Sequence, residues 1–172
     1  MKENSINKRF LIPQIITALR IVLIPPVLIF FFNDQIIESF LLFTISWITD
    51  IIDGICARKL EVTSTFGAYF DATTDFIFIF ISFFAFVLKE IYPFWILIII
   101  GFMFLQFILT SRQKKPVYDP IGRYSGLFLY VIIGITLVIS DNFVYTILLI
   151  VMLVFFVLSL ISRYIALRSS KQ

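Results

Sequence analysis

Long apolar runs separated by short polar clusters fill this 172-residue chain. A helix needs roughly 20 consecutive apolar residues to cross the hydrocarbon core of a bilayer. Six runs reach that length: 13–32, 36–58, 66–88, 92–111, 121–140 and 143–166. The breaks fall at Asn33-Asp34, at 59–65, at Lys89-Glu90, at 113–120 and at Asp141-Asn142, where turn-forming or charged residues gather. The pattern predicts an all-α integral membrane protein of six transmembrane helices, preceded by a short N-terminal interfacial segment over residues 1–12. A signal peptide is not expected there, because Pro13 and Arg20 interrupt the first apolar run and no small-residue cleavage site follows. With neither a linker nor an internal repeat in view, a single membrane domain is expected over 1–172.

Composition strengthens the membrane reading. Hydrophobic residues make up 60% of the chain and charged ones 15%, with a mean hydropathy of +1.04. A soluble domain of this length is nearer half apolar and a quarter charged, and one aqueous core would not hide the surplus. The chain contains no histidine and one cysteine, Cys56. Histidine acid–base chemistry, a Cys/His zinc site and an intrachain disulfide are therefore excluded. Cys56 sits in an apolar stretch and reads as a small packing residue.

The net charge of +3 lies at the edges of the apolar runs. No basic helix with interleaved aromatics is present, so a nucleic-acid partner is not expected. Instead the cations alternate by loop. Lys2, Lys8 and Arg9 precede the first run; Arg58 and Lys59 close the second; Arg112, Lys114 and Lys115 follow the fourth; Arg163, Arg168 and Lys171 end the chain. The intervening loops carry Asp34, Glu38, Glu90 and Asp141 with Lys89 as their one cation. An excess of Lys and Arg marks the cytoplasmic side, so both termini are expected there, in the cell membrane of a prokaryote.

Four acids lie inside the spans: Asp50 and Asp53 late in the second, Asp71 and Asp75 early in the third. Each costs about 2.5–3.5 kcal/mol if left charged in hydrocarbon. Positions 50 and 53 share a helix face, as do 71 and 75. Because the two spans are consecutive and antiparallel, both pairs are expected at the same cytoplasmic end. Carboxylates that close must be neutralised, either by protonation or by divalent cations. Oxygen donors without His or Cys suit hard ions, Mg²⁺ or Mn²⁺, and two such ions would suit a displacement at phosphorus. The competing use of such acids, a cation carrier or helix glue, would call for polar residues continuing to the far leaflet, where the spans are almost wholly apolar.

Residues 50–75 read Asp50-Ile-Ile-Asp53-Gly54-Ile-Cys-Ala57-Arg58, eight residues, then Gly67-Ala-Tyr-Phe-Asp71-Ala-Thr-Thr-Asp75. The physical sense of the small residues is direct: Gly54 and Gly67 let a nucleotide or pyrophosphate approach the backbone, and Ala57 keeps the same face open. Arg58 is suited to bidentate phosphate contacts. Taken one by one, close helix packing explains the glycines and inside-positive anchoring explains Arg58. Together they match, without gap or mismatch, D-x2-D-G-x2-A-R-x8-G-x3-D-x3-D, and the chain in this respect resembles the CDP-alcohol phosphatidyltransferase family.

That resemblance implies a set of roles. Asp50, Asp53, Asp71 and Asp75 would bind two divalent cations, and Asp75 would also be the catalytic base on the acceptor hydroxyl. Gly54, Arg58 and Ser64 would contact the CDP moiety of CDP-diacylglycerol or CDP-archaeol. The acceptor oxygen would attack the β-phosphorus and expel CMP, and the protein would be a homodimer. The stretch Ile12-Pro13-Gln14-Ile15-Ile16-Thr17-Ala18-Leu19-Arg20 is similar to the I-P-N-x-L-T-x-x-R opening of phosphatidylglycerophosphate and cardiolipin synthases in the family. Gln14 and Thr17 would then line the nucleotide site. Otherwise Pro13 starts a helix and Arg20 is a packing residue or lipid anchor.

The acceptor is less marked. Asp71-Ala-Thr-Thr-Asp75-Phe76 lacks the Pro and Lys of the D-P-x-A-D-K pattern of glycerophosphate enzymes, the basic residue that inositol phosphate enzymes carry after the last Asp, and the His of choline and ethanolamine enzymes. Cations that would suit a phosphorylated acceptor are present in Arg112, Lys114, Lys115 and Arg123. Arg123 follows Gly122 in a stretch loosely similar to the G-K-x-K of glycerophosphate enzymes. Gly122 and Gly126 form a small-xxx-small pair, expected to serve helix packing. Glycerol 3-phosphate is the leading acceptor, with inositol phosphate, serine or a second lipid as alternatives.

Overall fold

The computed structural model describes residues 20–59, 65–111 and 124–169. Six helices and no strand occur among them: α1 Arg20–Phe32, α2 Ile36–Lys59, α3 Thr65–Leu88, α4 Trp95–Ser111, α5 Ser125–Val138 and α6 Asn142–Ser169. The all-α expectation therefore holds. One helix among the described residues, Asn142–Ala166 within α6, is long and apolar enough by itself to cross a membrane; the other apolar helical stretches are shorter.

Two helix ends share one device. After α1, Asp34 N–H donates to Phe31 O at 3.2 Å and Gln35 N–H to Phe30 O at 2.9 Å. After α3, Glu90 N–H donates to Val87 O at 3.0 Å and Ile91 N–H to Phe86 O at 2.9 Å. These paired bonds are Schellman caps, which satisfy carbonyls left over at a helix end and require a left-handed residue. Here the residues are Asp34 and Glu90, with φ of 60° and 59°, where glycine is usual. A side chain in that region costs roughly 1–2 kcal/mol, partly offset by the extra freedom glycine has when unfolded. Glu90→Gly is expected to stabilise the protein by about 0.5–1 kcal/mol, read as a Tm rise of a few degrees in detergent; a lowered Tm would show that the Glu90 side chain holds the turn.

The helix of the fourth apolar run starts later than the run, at Trp95, because the chain completes this turn and passes Pro93 before Ile96 N–H donates back to Pro93 O at 3.1 Å. The fifth is described from Ser125, its expected residues 121–123 lying outside the description, and ends at Val138 because Ile139 is extended. Asp141 begins α6 as an N-cap, its Oδ1 accepting from Phe143 N–H at 2.7 Å and Val144 N–H at 3.1 Å.

The chain forms two compact units that divide within α3, between Ile81 and Ser82. In the first, each helix buries one stripe at helical spacing: Arg20, Ile24, Val27 and Phe31 on α1; Ser39, Phe43 and Ser46 on α2; Thr74, Phe78 and Ile79 on α3. Ser39 Oγ donates to Val27 O at 3.0 Å, and Phe43 packs on Phe78 with ring centroids 6.0 Å apart.

The second unit is built round Tyr92, whose ring meets Phe83, Phe86 and Tyr145 with centroids 5.7–6.2 Å apart. Thr136 Oγ1 gives its proton to Ile132 O at 2.8 Å, so Tyr92 O–H is the donor in its 2.7 Å bond to Thr136. In α6, Leu148, Met152, Phe156 and Ser159 are buried while Val151, Val154, Val157, Leu158 and Ile161 are exposed. A helix apolar on all sides but buried on one stripe is what a membrane helix looks like without its lipid. A Cβ placed on Gly126 would meet nothing within 4 Å. The expected helix packing through Gly122 and Gly126 is thus not met at Gly126 within the described chain, and Gly122 lies outside the description.

Candidate functional site

The first unit places the acids by register. The loop after α1 is short, so α1 and α2 are antiparallel, and the contact of Ser39 with Val27 sets their alignment. The α2–α3 alignment is set by Phe43 and Phe78. Position 50 lies seven residues beyond Phe43, and position 71 lies seven residues before Phe78. At 1.5 Å per residue, both stand about 10 Å from that aromatic contact, in the same direction. Position 53 lies farther along α2, and position 75 less far along α3. Asp50 and Asp53 also continue the register of the buried Ser39–Phe43–Ser46 stripe, as position 71 continues that of Thr74 and Phe78.

Among the four acids, Asp75 has a described side chain, and it is ion-paired. The Arg20 guanidinium donates through Nη1 to Asp75 Oδ1. Arg20 is 0% exposed and the Asp75 side chain 27%. An arginine reaches a fully buried stripe of apolar residues only with a partner of opposite charge. Of the two other uses expected of Arg20, packing residue or lipid anchor, its burial and its ion pair favour the first.

Helical alignment also brings Ser46 to the level of this pair, since it lies three residues beyond Phe43 as Asp75 lies three before Phe78. Ser46 is 0% exposed, and its Oγ has no hydrogen-bond partner among the described residues. The neighbouring hydroxyls are satisfied by their own helices: Thr49 Oγ1 donates to Ser46 O at 2.7 Å and Thr74 Oγ1 to Phe70 O at 2.9 Å. Phe76, the residue that departs from the expected basic position, packs against Phe80 with centroids 5.4 Å apart and the rings tilted by 39°.

The remaining candidates divide by description. Asp50, Asp53, Gly54, Ala57 and Arg58 in α2, and Gly67 and Asp71 in α3, are helical positions whose side chains lie outside the description. Gln14, Thr17, Ser64, Arg112, Lys114, Lys115 and Arg123 lie outside the described residues altogether. Arg20 and Ser46 are the polar residues that sequence reasoning did not assign to the site. A signal for Arg20 existed, because an arginine in mid-span needs a carboxylate nearby.

The chain is similar to known proteins along much of its length. A chain of Wigglesworthia glossinidia brevipalpis named CDP-diacylglycerol–glycerol-3-phosphate 3-phosphatidyltransferase is 31% identical over 110 residues, which cover 62% of this chain and 60% of that one. The Haemophilus influenzae protein of that name is 31% identical over 62% of this chain and 59% of its own. The one from Salmonella choleraesuis is 30% identical over 122 residues, 69% of this chain and 66% of its own. The matched stretch is thus under two thirds of each of these relatives. The sequence model of the CDP-alcohol phosphatidyltransferases matches residues 10–167, nearly all of the chain. By that match and by the motif from Asp50 to Asp75, the chain belongs to the CDP-alcohol phosphatidyltransferase family.

Proposed function

We propose that this chain is an integral membrane enzyme of phospholipid biosynthesis that moves the phosphatidyl group of a CDP-activated lipid onto an alcohol and releases CMP. The observation that carries this reading is the uninterrupted motif laid along α2 and α3, with its last acid, Asp75, held by a buried cation. Residues 1–172 act as one domain whose six helices span the bilayer. Large apolar side chains exposed on every helix, among them Ile29, Ile45, Phe84, Ile98, Val131 and Val154, then face lipid. The loop charges put both termini and the motif end of α2 and α3 on the cytoplasmic side.

Asp50, Asp53, Asp71 and Asp75 hold two divalent cations, Mg²⁺ or Mn²⁺. The donor set fits: all ligands are oxygens, and the Arg20 charge offsets one carboxylate of four, which leaves three formal negative charges to be balanced. When bound, the cations supply stabilisation of the charge that develops on the attacking and leaving oxygens. The chain's own residues do the rest. Asp75 accepts the acceptor's hydroxyl proton as that oxygen bonds to the β-phosphorus, and the bond from phosphorus to the CMP oxygen breaks with its electron pair. Gly54, Ala57 and Gly67 leave room for the nucleotide. Arg58, Ser64, Gln14 and Thr17 contact it.

Glycerol 3-phosphate is the leading acceptor, because the relatives above are named for it and Arg112, Lys114 and Arg123 offer cations to its phosphate. Inositol phosphate, serine or a second lipid are the alternative acceptors, and CDP-archaeol the alternative donor. A homodimer is the working assembly. Purified protein given Mn²⁺ or Mg²⁺, CDP-diacylglycerol or CDP-archaeol, and a panel of these alcohols is expected to release CMP with one acceptor, glycerol 3-phosphate. CMP with another acceptor alone would correct the substrate; none with any pairing would sink the enzyme, and cation flux into vesicles would then point to a carrier.

A further inference from the structure

The ion pair between Arg20 and Asp75 joins the first helix to the last acid of the motif, and the reaction steps above give Arg20 no part. We propose that Arg20 is a positioning residue that fixes the Asp75 carboxylate for the reaction. The inference rests on the transferase reading. An aspartate χ2 has a broad, nearly two-fold well, so an unheld carboxylate turns and exchanges its oxygens. Here Oδ1 is committed to the guanidinium of a residue with 0% exposure. The guanidinium itself does not wander, because Arg20 continues the buried stripe of Ile24, Val27 and Phe31 and α1 is tied to α2 through Ser39 and Val27. Turning Asp75 away would take an opposite charge from a guanidinium that is 0% exposed. Oδ2 is thereby the oxygen left to bind a cation or take the acceptor's proton. The 27% exposure of the Asp75 side chain keeps that carboxylate accessible while Arg20 is sealed. In this role Arg20 acts through Asp75, as carboxylates and carbonyls behind a metal-bound side chain commonly do.

Mn²⁺ binding, read by electron paramagnetic resonance on the full chain in detergent, gives a measure independent of turnover. In Arg20→Met, the weaker of two Mn²⁺ affinities is expected to fall by about 10–100-fold. The kcat for CMP release should fall by about 10²-fold, the cost of a small misplacement of a reacting group, with KM for the CDP-lipid nearly unchanged. Arg20→Lys should recover part of both, since it keeps the charge but not the forked donor. Wild-type Mn²⁺ affinity and kcat in a folded Arg20→Met would overturn the inference. So would a variant that loses thermal stability while its folded fraction binds Mn²⁺ as before, because that is the behaviour of a mere tie between α1 and α3. If Arg20→Met does not fold, Arg20→Lys decides by the same two readouts. A wild-type protein that binds no Mn²⁺ and releases no CMP would instead bring down the transferase reading itself.

Discussion

Asp71→Asn is expected to cut CMP release by about 10³-fold while leaving the protein folded, and chelator-treated wild type should fall to a similar floor. The size follows from what the substitution removes. Asn keeps the shape and one oxygen of Asp but not its charge, and position 71 shares its level on the helix pair with position 50. A divalent ion that has lost one anionic ligand is held more weakly and aligned less well. Metal stabilisation of the transition state is worth several kcal/mol, and about 4 kcal/mol corresponds to a factor near 10³. Readded Mn²⁺ or Mg²⁺ should restore the chelated wild type but not the variant. Because the proposed metal site uses its acids as one unit, Asp53→Asn combined with Asp71→Asn is expected to cost little more than either alone. Full turnover in the presence of chelator, or in Asp71→Asn, would remove the metal site from the mechanism. The fold should survive the change, since fewer like charges then crowd the shared end of α2 and α3.

How much of this was legible in the sequence depends on the range of the interaction concerned. The second and third spans, expected at 36–58 and 66–88, are α2 Ile36–Lys59 and α3 Thr65–Leu88, because long apolar runs with charged ends leave a helix few other places to stop. The fourth starts later, and the fifth ends earlier, than its apolar run. There the ends are decided by backbone events that hydrophobicity does not encode: a left-handed Glu90 followed by Pro93, and an extended Ile139. The spacing of Asp50 with Asp53, and of Asp71 with Asp75, is local, so their shared faces could be read directly. The Arg20–Asp75 pair joins positions 55 residues apart and depends on how α1 aligns with α2 and α2 with α3. No local pattern states that alignment. The presence of an arginine amid apolar residues said only that a partner was needed, and four acids competed for the part. The unpartnered hydroxyl of Ser46 was hidden for a similar reason, since a serine in an apolar helix ordinarily bonds back to its own backbone, as Thr44, Thr49 and Thr74 do here.

The same pair makes an unequal prediction for stability. Asp75→Leu should cost about 3–5 kcal/mol, because it takes a carboxylate away from the Arg20 cation, which is 0% exposed. Arg20→Met should cost less, because the carboxylate it leaves behind keeps 27% of its surface in contact with solvent and can be hydrated there. The double variant Arg20→Met/Asp75→Leu should recover most of the larger loss. A buried ion pair replaced whole by apolar side chains of similar bulk is often neutral or better, since both desolvation costs disappear with the attraction that opposed them. Thermal unfolding in detergent would show Asp75→Leu lowest, on the order of 10 °C below wild type, with Arg20→Met between and the double variant near the top. All three should be poor enzymes, so stability and turnover separate. If the two single effects instead add in the double variant, Arg20 and Asp75 do not depend on each other, and the buried guanidinium must find its compensation elsewhere.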